Sequence, residues 1–230
     1  MANRIETGTD ELTGLLNRSA VLARVAHEVA TATADLPLSV ALLDVDRFAS
    51  FDHQYGIEAG DALLGLIAKE LQAAVPESAV LARYSRDTFL VISPGKSADE
   101  TFLNTERIRA RFDEKVMPMQ THDGPINAQI TMSGGVASYP ALADNERELI
   151  RNAHAARFRA KTGGRARTAF AQPERLETKT IHFAPGQLRR LGELAHMTGR
   201  TDASLIREAL DDLLAKYYSE RVHGSPRPDD

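Results

Sequence analysis

The sequence predicts an α+β fold followed by a small strand–helix–helix unit, and three observations carry that prediction. Strand-like runs alternate with helical periodicities, yet two strands follow one another directly, which a purely parallel sheet does not allow. The stretch 171–177, AQPERLE, breaks the pattern with the proline and charge content of a linker. Beyond it, one short strand and two amphipathic helices are too little to form a core alone.

The elements follow in order. Apolar and small residues recur at helical spacing from Leu15 to Ala34, with Pro37 just past the end. Pro37–Asp46, PLSVALLDVD, has a Val/Leu centre that predicts a buried strand ending in acidic residues. A helix over Ala59–Ala74 is stopped by Pro76, and Val80–Arg83 with Phe89–Ser93 form a hairpin whose turn includes Ser85 and Arg86. A helix over Asp99–Lys115 precedes one alternating strand over Ile126–Ala137, a helix over Glu146–Lys161 and a last strand over Arg165–Phe170. The resulting boundaries are an N-terminal extension (1–9), a main domain (10–170), the linker (171–177), the small unit (178–220) and a flexible tail (221–230).

At 230 residues there is room for one medium domain and a small one. Hydrophobic residues at 43% and charged residues at 26% are ordinary globular values, so a packed core is expected. The formal charge of −4 gives no whole-chain basic field, so any nucleic-acid binding has to rest on a local patch. The absence of cysteine excludes disulfides and thiolate metal sites and fits a reducing compartment. The first residues carry no basic-then-apolar signal pattern, and no apolar run approaches a membrane span. A soluble, cytoplasmic protein with no membrane partner is expected.

Chemistry first appears at Asp44–Val45–Asp46, where two carboxylates at alternate strand positions project together. Oxygen ligands of this kind suit Mg²⁺ held with substrate phosphates, although acidic residues at a strand end also simply face water. Six blocks then occur in order: DELTGLLNR (10–18), LLDVDRF (42–48), GIEAGDALL (56–64), RYSRDTF (83–89), ITMSGGVASYP (130–140) and AKTGGRAR (160–167). Together they resemble the GGDEF family of diguanylate cyclases over about 160 residues. Members fold as a mainly antiparallel sheet flanked by helices and join two GTP molecules into cyclic di-GMP across a dimer.

The resemblance implies site residues by position. Asp44, the Val45 carbonyl and Asp87 match the metal site, with Mg²⁺ expected only alongside bound nucleotide. Asp61, after Gly60, matches the residue that reads the guanine edge, and Lys161 and Arg165 match cations that hold terminal phosphates. The signature itself stands as Ser85–Arg86–Asp87–Thr88–Phe89. Side chains replace two glycines that allow close backbone approach, although Arg86 could supply a new phosphate contact. Thr88 replaces an acidic residue associated with metal binding and catalysis, Ala49 a usual Lys, Asp52 an Asn that contacts guanine, and Ile57 a usual His. Asp52 and Asp61 can both accept from guanine N–H groups, although their like charges repel each other. Pro76–Ala79 replaces the RxxD of the product-inhibition site, so none is expected.

In the small unit, TKTIHF (178–183) alternates Ile181 and Phe183 with Thr180 and His182, and a lone strand needs a partner chain. Pro185 suits the first turn of a helix carrying Leu188, Leu191 and Leu194, and Gly199 ends it. Thr201 can cap a second helix with Leu205, Ile206, Leu210 and Leu213 on its stripe. This order resembles the ribbon-helix-helix domains of the Arc, MetJ and CopG type. The likeness implies a homodimer whose ribbon enters the DNA major groove, with Thr178, Thr180 and His182 facing bases and Thr201 at a phosphate. Residues 178–222 hold seven Lys/Arg against six Asp/Glu, a weak electrostatic footprint that also suits a dimerisation or docking role.

The function expected from both parts is a dimeric DNA-binding transcription regulator whose degenerate GGDEF domain senses GTP, ATP or a cyclic dinucleotide without catalysis. An active diguanylate cyclase and a nucleotide-independent scaffold are the alternatives.

Overall fold

The computed structural model describes residues 8–172 and, towards the C-terminus, 181–198, 201–203, 205, 206, 209, 210 and 213. The chain divides into two compact units, residues 1–174 and 175–230.

In the first unit, α1 (Arg18–Thr31) is followed by β1 (Leu38–Val45), α2 (Phe48–Tyr55), α3 (Ile57–Ala74), β2 (Val80–Arg83) and β3 (Thr88–Pro94). Then come α4 (Ala98–Glu114), β4 (Met117–Thr121), β5 (Gly124–Ala128), β6 (Met132–Tyr139), α5 (Glu146–Thr162) and β7 (Thr168–Phe170). Local chemistry sets the helix starts. The Asn17 side chain accepts from the Ala20 N–H, Ser97 and Glu100 form a reciprocal capping box, and Asn145 accepts from the Glu148 N–H. Arg159 and Lys161 in the last turn of α5 complement its C-terminal partial charge.

Five strands form the main sheet in the order β2-β3-β1-β6-β7. All its pairs are antiparallel except β6 with β7. Every residue of β1 is buried, because this central strand is covered on both faces. Alternation sorts its side chains. Ala41, Leu43 and Val45 pack with α3 and α4 through Leu63, Ile67, Ile108 and Phe112. Leu38, Val40 and Leu42 pack with α1 and α5 through Val21, Val25, Leu149 and Ala153. Full burial of each large aliphatic side chain is worth about 1.5–3 kcal/mol, so these two layers dominate the unit's stability.

Two expected elements differ. The single strand over Ile126–Ala137 is two strands, with β5 turned away to pair with β4 in a separate hairpin. Ile126, Ala128, Ile130 and Met132 keep one alternation across the break and all face the same core cluster, which hides the break in the sequence. The sequence also gives no sign of α2. Its eight residues are too few for periodicity, and Arg47 enters it at φ 58 with Gly56 leaving at φ 87. The last strand shortens to Thr168–Phe170 because Arg165 and Ala166 take left-handed φ of 63 and 46.

In the second unit, α6 spans Pro185–Thr198 with Pro185 in its first turn. Asp202, Ala203, Leu205, Ile206, Ala209, Leu210 and Leu213 are helical, and the Leu205 N–H donates to the Thr201 carbonyl at 3.1 Å. Ile181–Phe183 lie outside any strand, while Thr178–Thr180 fall outside the described residues.

Candidate functional site

The site begins with register. Asp44 falls on the same face of β1 as Val40 and Leu42, the face covered by α5, and it is only 2% exposed. A carboxylate so buried has to be paired. Thr88 stands opposite it in the β1–β3 ladder, and its hydroxyl donates to Asp44 Oδ2 at 3.0 Å. Arg157 and Lys161 sit four residues apart on one face of α5. The Arg157 guanidinium pairs with Asp44 Oδ2 and also donates to Thr88 Oγ1 at 3.0 Å, while Lys161 Nζ pairs with Asp44 Oδ1. Both carboxylate oxygens therefore face cations of the same chain.

Gly135 makes this reach possible. A Cβ there would meet Arg157 N and Ala153 O, with the Arg157 Cα at 2.7 Å, so α5 lies against β6 where a side chain is missing. Sequence inspection missed Arg157, although its spacing of four from Lys161 was the available signal.

Asp87 is half-buried beside this cluster. Burial and the neighbouring Asp44 charge push its carboxyl above the ordinary range, against the pull of Lys161 and Arg157. Asp46 lies past the strand end and is spoken for. It accepts from Thr131 Oγ1 at 2.8 Å, Ser133 Oγ at 2.7 Å and the Ala166 N–H at 3.1 Å, so it ties the turn after α5 to the sheet.

At the other end, Arg86 forms an ion pair with Asp52 on α2 and lies over the Phe48 ring at 5.9 Å. Both were expected at a nucleotide, and the fold brings them to each other. Asp52 also presses against Gly60, where a Cβ would stand 3.0 Å from its carboxyl carbon. Asp61 is exposed on α3. Arg83 fixes the signature loop from behind: it donates to the Arg86 carbonyl at 2.8 Å and grips both Asp10 oxygens at 3.1 and 3.2 Å. Burial raises the Asp10 pKa, but hydrogen bonds from Thr13 and Arg83 outweigh that and hold it below the usual value.

Arg165 is not with Lys161 on Asp44. It is exposed and lines a cavity of about 660 Å³ bounded by Val45, Arg47, Phe51, Tyr55 and Ile126. Of the expected nucleotide and metal residues, that cavity holds only Val45 and Arg165. The chemistry-bearing cluster on Asp44 lies elsewhere, and its buried charges make it the stronger candidate site. Among the described residues no three His, Asp or Glu side chains gather as a metal-binding group. In the second unit His182 and Thr201 are exposed, whereas Thr178 and Thr180 lie outside the described residues.

The family profile described as "Diguanylate cyclase, GGDEF domain" matches residues 7–167. The chain belongs to the GGDEF family. Its α+β fold, with a mostly antiparallel sheet flanked by helices, is that of the GGDEF domain of DgcB from Caulobacter crescentus, solved with c-di-GMP. That structure superposes with a TM-score of 0.64 at 27% identity over 74% of this chain and 99% of that one. Diguanylate cyclase DgcP of Pseudomonas aeruginosa is 34% identical over 164 residues, which are 71% of this chain and 24% of DgcP. The cyclic di-GMP phosphodiesterase PdeR of Escherichia coli (strain K12) is 31% identical over 171 residues, 74% of this chain and 25% of PdeR. The chain thus spans about a quarter of the length of these two relatives. No helix among the described residues of this GGDEF protein is long and apolar enough to cross a membrane.

Proposed function

We propose that this chain is a dimeric DNA-binding regulator whose GGDEF domain senses a nucleotide and does not cyclise it. One observation carries the catalytic half: Asp44 is engaged on both oxygens by Arg157 and Lys161, with neutral Thr88 beside it. Joining nucleotides depends on positioning and on charges free to meet developing charge, and here those charges are spent on each other. The Arg86–Asp52 pair closes the guanine-edge end in the same way. Two cations, Arg157 and Lys161, face the Asp44 and Asp87 carboxylates, and exposed Arg165 adds a further cation suited to an anionic ligand such as GTP, ATP or a cyclic dinucleotide.

Support for the DNA-binding half is the order of the second unit. Its first helix starts at Pro185 and its second carries Leu205, Ile206, Leu210 and Leu213. Leu188, Leu194, Leu210 and Leu213 are about half exposed in the single chain, as helices would be that complete their core with a second copy. The ribbon formed there would place Thr178, Thr180 and His182 towards bases and Thr201 towards a phosphate.

Incubating the purified chain with GTP and Mg²⁺ or Mn²⁺ is expected to give no cyclic di-GMP by chromatography. Multiple-turnover product would overturn the proposal in favour of the second reading, an active diguanylate cyclase. That reading draws on the cyclase relatives and on the retention of Asp44, Asp87, Lys161 and Arg165.

A further inference from the structure

We infer that Arg157 takes the place of a divalent cation in this GGDEF domain, so that its ligand site works without metal. The inference deepens the non-cyclising reading above.

The donor set does not fit Mg²⁺. A hard divalent ion requires several oxygen ligands, preferably anionic, in near-octahedral order. Here the ladder places a single buried carboxylate, Asp44, opposite a neutral hydroxyl, Thr88. Both oxygens of Asp44 already face cations, and the Arg157 guanidinium spans Asp44 and Thr88 together. An incoming metal ion would have to displace two positive groups and would meet their repulsion on the way. Asp87, the remaining acid nearby, is only partly buried and shares the same two cations.

The cluster is built in rather than incidental. Arg157 is placed by backbone contact, because α5 rests on Gly135 at the Arg157 Cα. Thr88 complements it by size and charge: its hydroxyl both donates to Asp44 and accepts from Arg157. The guanidinium thus does two jobs that a cation would otherwise do. It neutralises Asp44 and bridges it to Thr88 across the β1–β3 ladder.

Mn²⁺ binding to the full chain, followed by the electron paramagnetic resonance signal of free Mn²⁺ without nucleotide, tests this directly. The wild-type chain is expected to leave the free Mn²⁺ signal undiminished, and Asp44→Asn to give the same signal. Thr88→Glu combined with Arg157→Met adds a carboxylate and removes the resident cation, and is expected to bind one Mn²⁺ per chain at least 10-fold tighter than wild type. Arg157→Gln alone, a milder change, is expected to move in the same direction if the double variant does not fold. One Mn²⁺ per wild-type chain, lost on Asp44→Asn, would overturn the inference. Folded Arg157 variants that gain no Mn²⁺ affinity would overturn it too. Because no nucleotide is present, these outcomes are independent of the cyclisation assay.

Discussion

At the residue scale, charged side chains in this site come as matched pairs. Arg86 meets Asp52, and Arg157 meets Asp44 across Thr88. Arg86 is largely exposed, so its pair contributes at most about 1 kcal/mol to stability, and its effect lies in joining the signature loop to α2. Burial matters more at His154, packed on the Tyr84 ring at 5.3 Å with Arg18 stacked on that same ring. Burial first, then Arg157 and Arg18, lower its pKa from 6.5 to about 4, against a small pull from Asp44. The unfolded chain therefore takes up this proton first. Stability from neutral His154 is complete above pH 6.5 and is lost as the pH falls towards 4. The urea midpoint of the parent is expected to fall between pH 7.5 and pH 5, and His154→Phe to flatten that fall. Equal pH dependence in the two proteins would place the acid sensitivity in other groups.

At the element scale, α5 is the element on which the site depends, and Gly135 is its seat. Gly135→Ala would force a methyl into the backbone at Ala153 and Arg157, so α5 has to lift. A loss of about 1–3 kcal/mol in urea unfolding is expected, together with release of Arg157 from Asp44. An unchanged midpoint would mean that the helix rides higher on β6 than described. Which elements were legible follows from the same physics. β1, α3, α4 and α5 announce themselves through long, regular apolar patterns. The β5–β6 break did not, because its alternation runs on unchanged through Ile130. Asp44, Asp52, Arg86 and Lys161 stood out in the sequence as candidates from their motifs. That they would pair with each other was not legible, since pairing depends on strand register and helix seating.

At the scale of the whole molecule, the two units differ in how they treat their apolar residues. The first holds two buried apolar clusters of its own, with Leu36, Ile57, Leu103 and Phe158 left outside them, whereas Ile181, Leu188, Leu194, Leu210 and Leu213 of the second stay substantially exposed. Deleting residues 178–230 is expected to leave a folded GGDEF domain that retains no DNA fragment in a gel shift and scatters light as a smaller, weakly associating species. The intact chain is expected to be a dimer whose DNA retention declines with salt, though less steeply than for strongly basic binders. A dimer that retains no genomic fragment at low salt would reduce the second unit to a docking module.

The sheet's last strand has a mechanical consequence. β7 is three residues long, lies at the edge and is the last strand of that sheet along the chain. Phe170 is its anchor: the ring stacks on Phe102 at 4.2 Å, and the carbonyl accepts from Arg159 at 2.6 Å. Tension applied to the chain at Gln172 therefore loads Phe170, and through Arg159 it pulls on α5 only two residues from both Arg157 and Lys161. A pull on the chain at that point bears on the helix that carries both of Asp44's cationic partners.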